Sequence, residues 1–388
     1  MSDKFKTRTG MTPGVQKGTV PFSLRENRDS PQVASLRVLS RRKFLAGALT
    51  APCLLHQTVL ADQPRQRPPQ PDRTVDLHIH LFGVGDHQSG CRISKQIKQS
   101  PLFGFLLNKL AVERRAETID EGYVLALAET LQESGIDKGV ILAQDAVYDR
   151  KGKPDWQRTS CYVPNDYLFQ VVGRYPQQMV PCVSINPDRA DALDELQRCI
   201  DRGARLLKIH PPIQGVDVAD RRHTAFFRRC AEAKIVVMVH TGHEHSAPVL
   251  DVELASPRKL QLALEEGCTM VACHCGTGWA GDKPDMLPEF LEMLPKYPNL
   301  WGDTAVLGSM ARVRDMLRLL ADDAAKARLL HGSDFPFLCY PLAFAPRIGL
   351  KSALRLQGVK NPIGRDFALK DALGIGRESA ERAYRLLI

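Results

Sequence analysis

No two of the nine cysteines that follow residue 61 are spaced as Cys-x-x-Cys; they are scattered at 91, 161, 182, 199, 230, 268, 273, 275 and 339. A zinc ribbon or a small disulfide framework needs closely paired cysteines, so both readings are weak. The apolar stretch near the start is too short and too interrupted to supply the about 20 residues of a bilayer span. Excess charge is missing from the body of the chain. The net charge is +9, but residues 1–61 hold ten Lys/Arg against three Asp/Glu, a balance of +7, which leaves +2 for the other 327 residues. A nearly neutral body gives no argument for nucleic acid as a partner. No Gly-rich phosphate loop follows the first strand-like run, which removes support for a doubly wound nucleotide-binding sheet. Ser333 in "GSD" lacks both the Gly-x-Ser-x-Gly elbow and the order of a serine triad. What the chain does have is size: 388 residues, 44% of them hydrophobic, fill one large core or two ordinary ones.

The early positive charge has a local explanation. Ser40, Arg41, Arg42, Lys43, Phe44 and Leu45 resemble a twin-arginine export signal: paired arginines, then Phe-Leu, then an apolar run, with Val59, Leu60 and Ala61 fitting a small-residue cleavage site. Cys53 follows Pro52, a poor match to a lipoprotein cleavage site. The resemblance implies a cleaved segment 1–61, the twin-arginine machinery as a partner, and release of an already folded protein into the bacterial periplasm. Folding in a reducing cytoplasm leaves the remaining cysteines no need to pair. Residues 62–74, rich in Pro, Gln and Arg, read as a linker, and 75–388 as the working domain.

Within that domain, apolar runs of strand length alternate with amphipathic stretches. The expected strands are 75–79, 139–144, 179–185, 204–209, 235–240, 269–274, 300–306 and 328–332. Several intervening helical segments end in Gly just before the next strand, as a helix C-terminus should. Continuously apolar strands separated by helices point to a parallel sheet buried on both faces. Eight such units match an α/β (β/α)8 TIM barrel. The first two strands lie far apart, so residues 84–118 form an insertion of loop and helix at the barrel mouth. The tail from Asn361 reads as two terminal helices, and is also a candidate contact with a second copy of the chain, a homo-oligomer.

Histidines and one aspartate recur at the strand ends. In "VDLHIHLFG", His78 and His80 are two apart and share a face at the end of the first strand. His240 closes the fifth, His274 the sixth, and Asp334 follows the eighth. Barrel active sites lie at that end of the strands, so a barrel would bring these side chains together. The set His78, His80, Lys208, His240, His274 and Asp334, with "KIHP", "MVHTG", "HCG" and "GSDFP", resembles the amidohydrolase superfamily. The closer likeness is to its amidohydrolase-related branch, which includes aminocarboxymuconate-semialdehyde decarboxylase-like enzymes. The resemblance implies that His78, His80, His240 and Asp334 bind a divalent metal, most often zinc. It implies that Asp334 shuttles a proton, and that His274 hydrogen-bonds the water or polarises the substrate carbonyl. Lys208 is either a carboxylated bridge between two metals or a plain cation near a carboxylate or an anionic substrate.

The other candidates are positional. His243, Glu244, His245, Asp145 and Trp279 are candidates for the substrate pocket, with Asn186 and Asp303 at neighbouring strand ends. His210, followed by two prolines, reads as a loop residue. Alternation about an inward His274 turns Cys273 and Cys275 outward, into the core between barrel and helices. The expected activity is hydrolysis of an amide, ester or lactone C=O bond of a small molecule by metal-activated water. The alternatives are a non-oxidative decarboxylase on the same site and a binding protein without turnover.

Overall fold

Residues 73–387 are described by the structure, a computed structural model. The export-signal motif at 40–61, Cys53 and most of the 62–74 linker lie outside the described residues. All eight expected strands form: β1 Val75–His80, β2 Lys138–Leu142, β3 Met179–Ser184, β4 Leu206–Ile209, β5 Val236–His240, β6 Thr269–Cys273, β7 Leu300–Asp303 and β8 Leu329–Leu330. They pair in chain order, each ladder parallel. The ring turns back on itself through the chain beyond β8. Leu77 N–H donates to His331 O at 2.9 Å, Asp334 N–H to His78 O at 2.9 Å and His80 N–H to Phe335 O at 2.9 Å. This is a (β/α)8 barrel, and its closing seam runs through two of the expected metal ligands.

Strand alternation divides the buried side chains into two clusters. Val75, Leu77, Val140, Leu142, Cys182, Leu206, Val236, Met238, Val271, Cys273 and Leu330 fill the barrel, joined by Ala383 of the last helix, Gly376–Leu387. Ile79, Ile141, Val183, Leu207, Ile209, Val237, Val239, Met270 and Ala272 face the surrounding helices. Each buried aliphatic side chain contributes about 1.5–3 kcal/mol, so both layers hold the ring. Lys208 shares the parity of inward Leu206, and His240 that of inward Val236 and Met238. On β1 the ladder to β2 shifts register between Asp76 and Ile79. Such an irregularity re-aims side chains, and beyond it His78 and His80 face the mouth.

The sixth strand breaks the expected pattern. Cys273 belongs to the interior cluster and only Cys275 to the outer one. The expectation for Cys273 was therefore wrong, because it assumed an unbroken strand through residue 275. The chain leaves β6 after Cys273, and His274 and Cys275 take left-handed backbone, with φ of 63° and 55°. That turn brings His274 to the mouth although strict alternation would aim it outward.

Residues 84–118 do form loop and short helices, Lys95–Lys98 and Pro101–Lys109, with Arg92–Ile93 paired antiparallel to Cys161–Tyr162. The insertion is tied down by the buried Asp120 carboxylate, which accepts from Val84 N–H, Gly85 N–H and Ser89 Oγ. The tail folds as the expected helices, Pro362–Ala372 and Gly376–Leu387; Asn361 caps the first by accepting from Gly364 N–H at 2.9 Å. Among the described residues no helix is long and apolar enough to cross a membrane.

Candidate active site

The ends of β1 and β8 meet at one carboxylate oxygen. His78 Nε2 lies 3.3 Å and His80 Nε2 3.1 Å from Asp334 Oδ1, across 254 residues of chain. His78 is buried and Asp334 nearly so, while His80 is partly open. Two donor atoms that share a tetrahedral ion at about 2.0–2.1 Å stand roughly 3.3 Å apart. Two imidazole nitrogens and a carboxylate oxygen at these separations fit a divalent metal ion. Asp334 has φ of 65°, a conformation that costs an aspartate on the order of 1–3 kcal/mol and persists only where its surroundings impose it.

Asp303, at the end of β7, organises the imidazoles. Its Oδ2 lies 2.8 Å from His78 Nδ1, and its Oδ1 accepts from His274 N–H at 2.8 Å and from Ala305 N–H at 3.1 Å. A carboxylate facing Nδ1 selects the tautomer that leaves Nε2 with its lone pair turned to Asp334. Burial, with Lys208 nearby, lowers the His78 pKa to about 3, so the ring is neutral and can act as a ligand. Burial alone would raise Asp303 and Asp334, but the histidines outweigh it and hold both well below the usual carboxylate range.

His274 lies beside His78, ring centroids 5.0 Å apart, and its Nδ1 is 3.1 Å from Ala305 O. A carbonyl oxygen only accepts, so Nδ1 carries the proton. Burial lowers the His274 pKa, and the neutral ring offers Nε2 as an acceptor. Lys208 Nζ lies 3.4 Å from His78 Nε2. Burial works against its charge, but Cys273, Asp303 and Asp334 around it raise its pKa, so it stands as an ammonium.

His240 lies one ring further on, 4.7 Å from the His274 ring, with its Nε2 buried and without a partner. Its Nδ1 faces Glu244 Oε2 at 3.8 Å, and its ring stacks on His210 at 4.1 Å. The loop reading of His210 missed this: the residue is buried, with Nε2 3.1 Å from Glu244 Oε2. It sits one residue past β4, and its parity with Lys208 was the available signal. Burial would raise Glu244, yet His210 and Ser246 hold it below the ordinary range.

The remaining candidates divide. His243 is buried and bonded to Pro284 O at 2.8 Å. His245 stacks on Trp279 at 4.0 Å and pairs with Asp282 at 2.8 Å, and both rings are exposed at the surface rather than gathered with the ligand set. Asp145 has both oxygens engaged, by Ala146 N–H and Tyr148 Oη on one and Asn186 N–H and Arg189 on the other, so it stitches β2 to β3. Unforeseen in the sequence is Arg312, whose buried guanidinium donates to Thr277 O, Thr277 Oγ1 and His243 O and so joins the loops after β5 and β6.

Residues 75–385 match the family model described as amidohydrolase. Among solved structures, an uncharacterised TIM-barrel protein from Bordetella bronchiseptica is 18% identical, with 81% of this chain and 99% of that one covered at a TM-score of 0.54, a likeness of fold. A probable 2-pyrone-4,6-dicarboxylic acid hydrolase from Acinetobacter baumannii is 13% identical over 81% and 98% at 0.49. A 2,6-dihydroxybenzoate decarboxylase from Rhizobium is 14% identical over 81% and 99% at 0.48. No curated protein matches the sequence.

Proposed function

The chain belongs to the amidohydrolase family, and from the donor set at its barrel mouth we propose that it is a hydrolase with one zinc ion, acting on an amide, ester or lactone of a small molecule. The observation that carries this reading is the convergence of His78 Nε2 and His80 Nε2 on the single oxygen Asp334 Oδ1. His78, His80 and Asp334 would hold the ion; His240, with its unpartnered Nε2, is grouped instead with His210 and Glu244 and would join as a fourth ligand only by turning towards the other three. When bound, a divalent cation lowers the pKa of water from about 15.7 towards 7 and acts as a Lewis acid.

The protein groups divide the rest of the work. Asp334 takes the proton of the attacking water and returns it to the leaving group. His274 orients that water by accepting at Nε2, which its tautomer favours over the alternative of polarising the substrate carbonyl. Stabilisation of the developing negative oxygen then falls to the Lys208 ammonium, and an ammonium in that role leaves no need for a carboxylated bridge or a second ion. Asp303 keeps His78 in its ligand tautomer.

Elemental analysis of the purified protein, paired with turnover of a panel of small esters, lactones and amides, tests the reading. The expected result is one zinc per chain, an acid product without carbon dioxide, and loss of both metal and turnover in Asp334→Asn. Carbon dioxide release would replace the hydrolase by a decarboxylase; bound metal without turnover would leave a binding protein. Twin-arginine export to the periplasm is part of the same proposal, supported by Arg41, Arg42, Phe44 and Leu45, and retention of the protein in the cytoplasmic fraction would refute it.

A further inference from the structure

The helix Pro362–Ala372 sends a lysine into the closing seam of the barrel. Lys370 and Asp366 are both buried, one turn apart, and paired to each other. The same Nζ donates to Gly332 O at 2.6 Å, two residues before Asp334. On the other side of the seam, buried Asp76 accepts through Oδ1 from Ser333 N–H at 2.9 Å and from His78 N–H at 3.1 Å. These two side chains thus hold the peptide groups on both sides of the metal-binding turn. A further bond, Gly332 N–H to Thr304 Oγ1 at 3.2 Å, completes the frame. None of these groups bonds to Asp334 Oδ1 or to a ring nitrogen of His78 or His80.

A stability role alone would not require such expensive groups. An apolar side chain would fill the place of a buried ammonium with no desolvation cost, and a buried ion pair is weak evidence of stabilisation. What the charged groups add is direction: a fixed donor to Gly332 O and a fixed acceptor for two N–H groups whose residues flank or carry the ligands.

We propose that Lys370 and Asp76 are positioning residues for the metal site, holding the Gly332–Asp334 turn against β1 so that Asp334 Oδ1 meets His78 and His80. The inference rests on the metal-site reading above. Without the Lys370 bond, the Gly332 carbonyl keeps only the long contact from Thr304 Oγ1 at 3.5 Å, and the turn is free to shift. Outer partners of metal ligands typically set affinity by about 10–100-fold, so zinc affinity, rather than melting temperature, is the quantity these residues govern.

Zinc titration of the metal-free full-length protein, in competition with a chromophoric chelator, tests this. Lys370→Met and Asp76→Ala, which removes the acceptor of both N–H groups, should each weaken zinc binding about 10–100-fold. Because Lys370→Met leaves Asp366 as an uncompensated buried acid, the double variant Lys370→Met/Asp366→Asn is measured beside it. Leu319→Ala, a core truncation in the helix Val313–Ala321, should lower the melting temperature while zinc affinity stays within twofold. Zinc affinities within twofold of the parent in Asp76→Ala and the double variant overturn the inference and leave the metal site standing. So does an affinity loss in Leu319→Ala as large as theirs. A parent chain that binds no zinc overturns the metal site itself and the inference with it.

Discussion

One methyl group at Gly332 should disturb the metal site and the fold together. A Cβ built there would sit 2.8 Å from His78 Cβ and 3.3 Å from Ala305 Cβ. Both neighbours are the first atoms of their side chains, so no rotamer change relieves the contact; β1 and the turn after β8 must separate. Overpacking of this kind costs about 1–3 kcal/mol. At about 2–4 °C per kcal/mol for domains near this size, Gly332→Ala should melt roughly 2–12 °C below the parent in the metal-free state. Because the displaced atom belongs to His78, zinc affinity should fall on the order of tenfold as well. The same change at Gly104 is the control. That glycine is exposed inside the helix Pro101–Lys109, with nothing within 4 Å of the added atom. There the helix propensity of alanine should add about 1 kcal/mol. Scanning calorimetry and zinc titration of the two variants read both effects. A Gly332→Ala protein that melts and binds zinc like the parent would refute the claim that His78 and the seam are packed in contact.

Asp303→Asn keeps the shape but gives up the charge facing His78 Nδ1 at 2.8 Å, so zinc affinity should drop about 10–100-fold in a competition titration. The His78 pKa is lowered by burial from 6.5 to about 3, so below pH 6.5 the unfolded chain binds the proton that the folded ring refuses. Stability of the metal-free protein should therefore fall as pH drops from about 6.5 towards 3, and denaturant midpoints should show a shallower fall in His78→Asn. Asp76 and Asp366, raised by burial to about 6 and about 7, act in the opposite sense, and the difference between parent and variant removes them. Arg312→Met strands the carbonyl of His243 without its donor, leaves that of Thr277 with only the His243 N–H at 3.1 Å, and should lower stability by about 1–3 kcal/mol by calorimetry.

The eight strands were legible because each is a continuous apolar run buried on both faces, and with no Gly-rich loop after the first to favour an open doubly wound sheet, eight such units point to a ring. Its ends were less legible. The expected strand 300–306 stops at Asp303, because Thr304 N–H already turns to Leu330 O and Val306 takes left-handed backbone. The expected 328–332 is only two residues as a strand, since the chain beyond Leu330 swings across to pair with β1. Among site residues, those on strands were found by parity. Lys208 and His240 follow the parity of their inward neighbours, and His210 would have been included had its prolines not suggested a loop; His78 and His80 share a face with each other but reach the mouth through the register shift after Asp76, off the parity of inward Val75 and Leu77.

The other residues that parity could not place are those where the backbone leaves the strand region. His274 and Asp334 both carry positive φ, 63° and 65°, and neither is a glycine. Two such conformations in one pocket need local bonds to impose them. For His274 these are Asp303 Oδ1 at its N–H and Ala305 O at its ring; for Asp334 the bond from its N–H to His78 O. Asp303 thereby ties the His78 ring to the turn that delivers His274, joining the ends of β1, β6 and β7. A sequence reading sees an aspartate at a strand end that serves equally as a helix cap. The distinction lies in its two oxygens facing different strands, and that is a property of ring closure rather than of local sequence. Strand pattern thus fixes which residues can reach the mouth, while a few buried carboxylates decide how they are aimed once there.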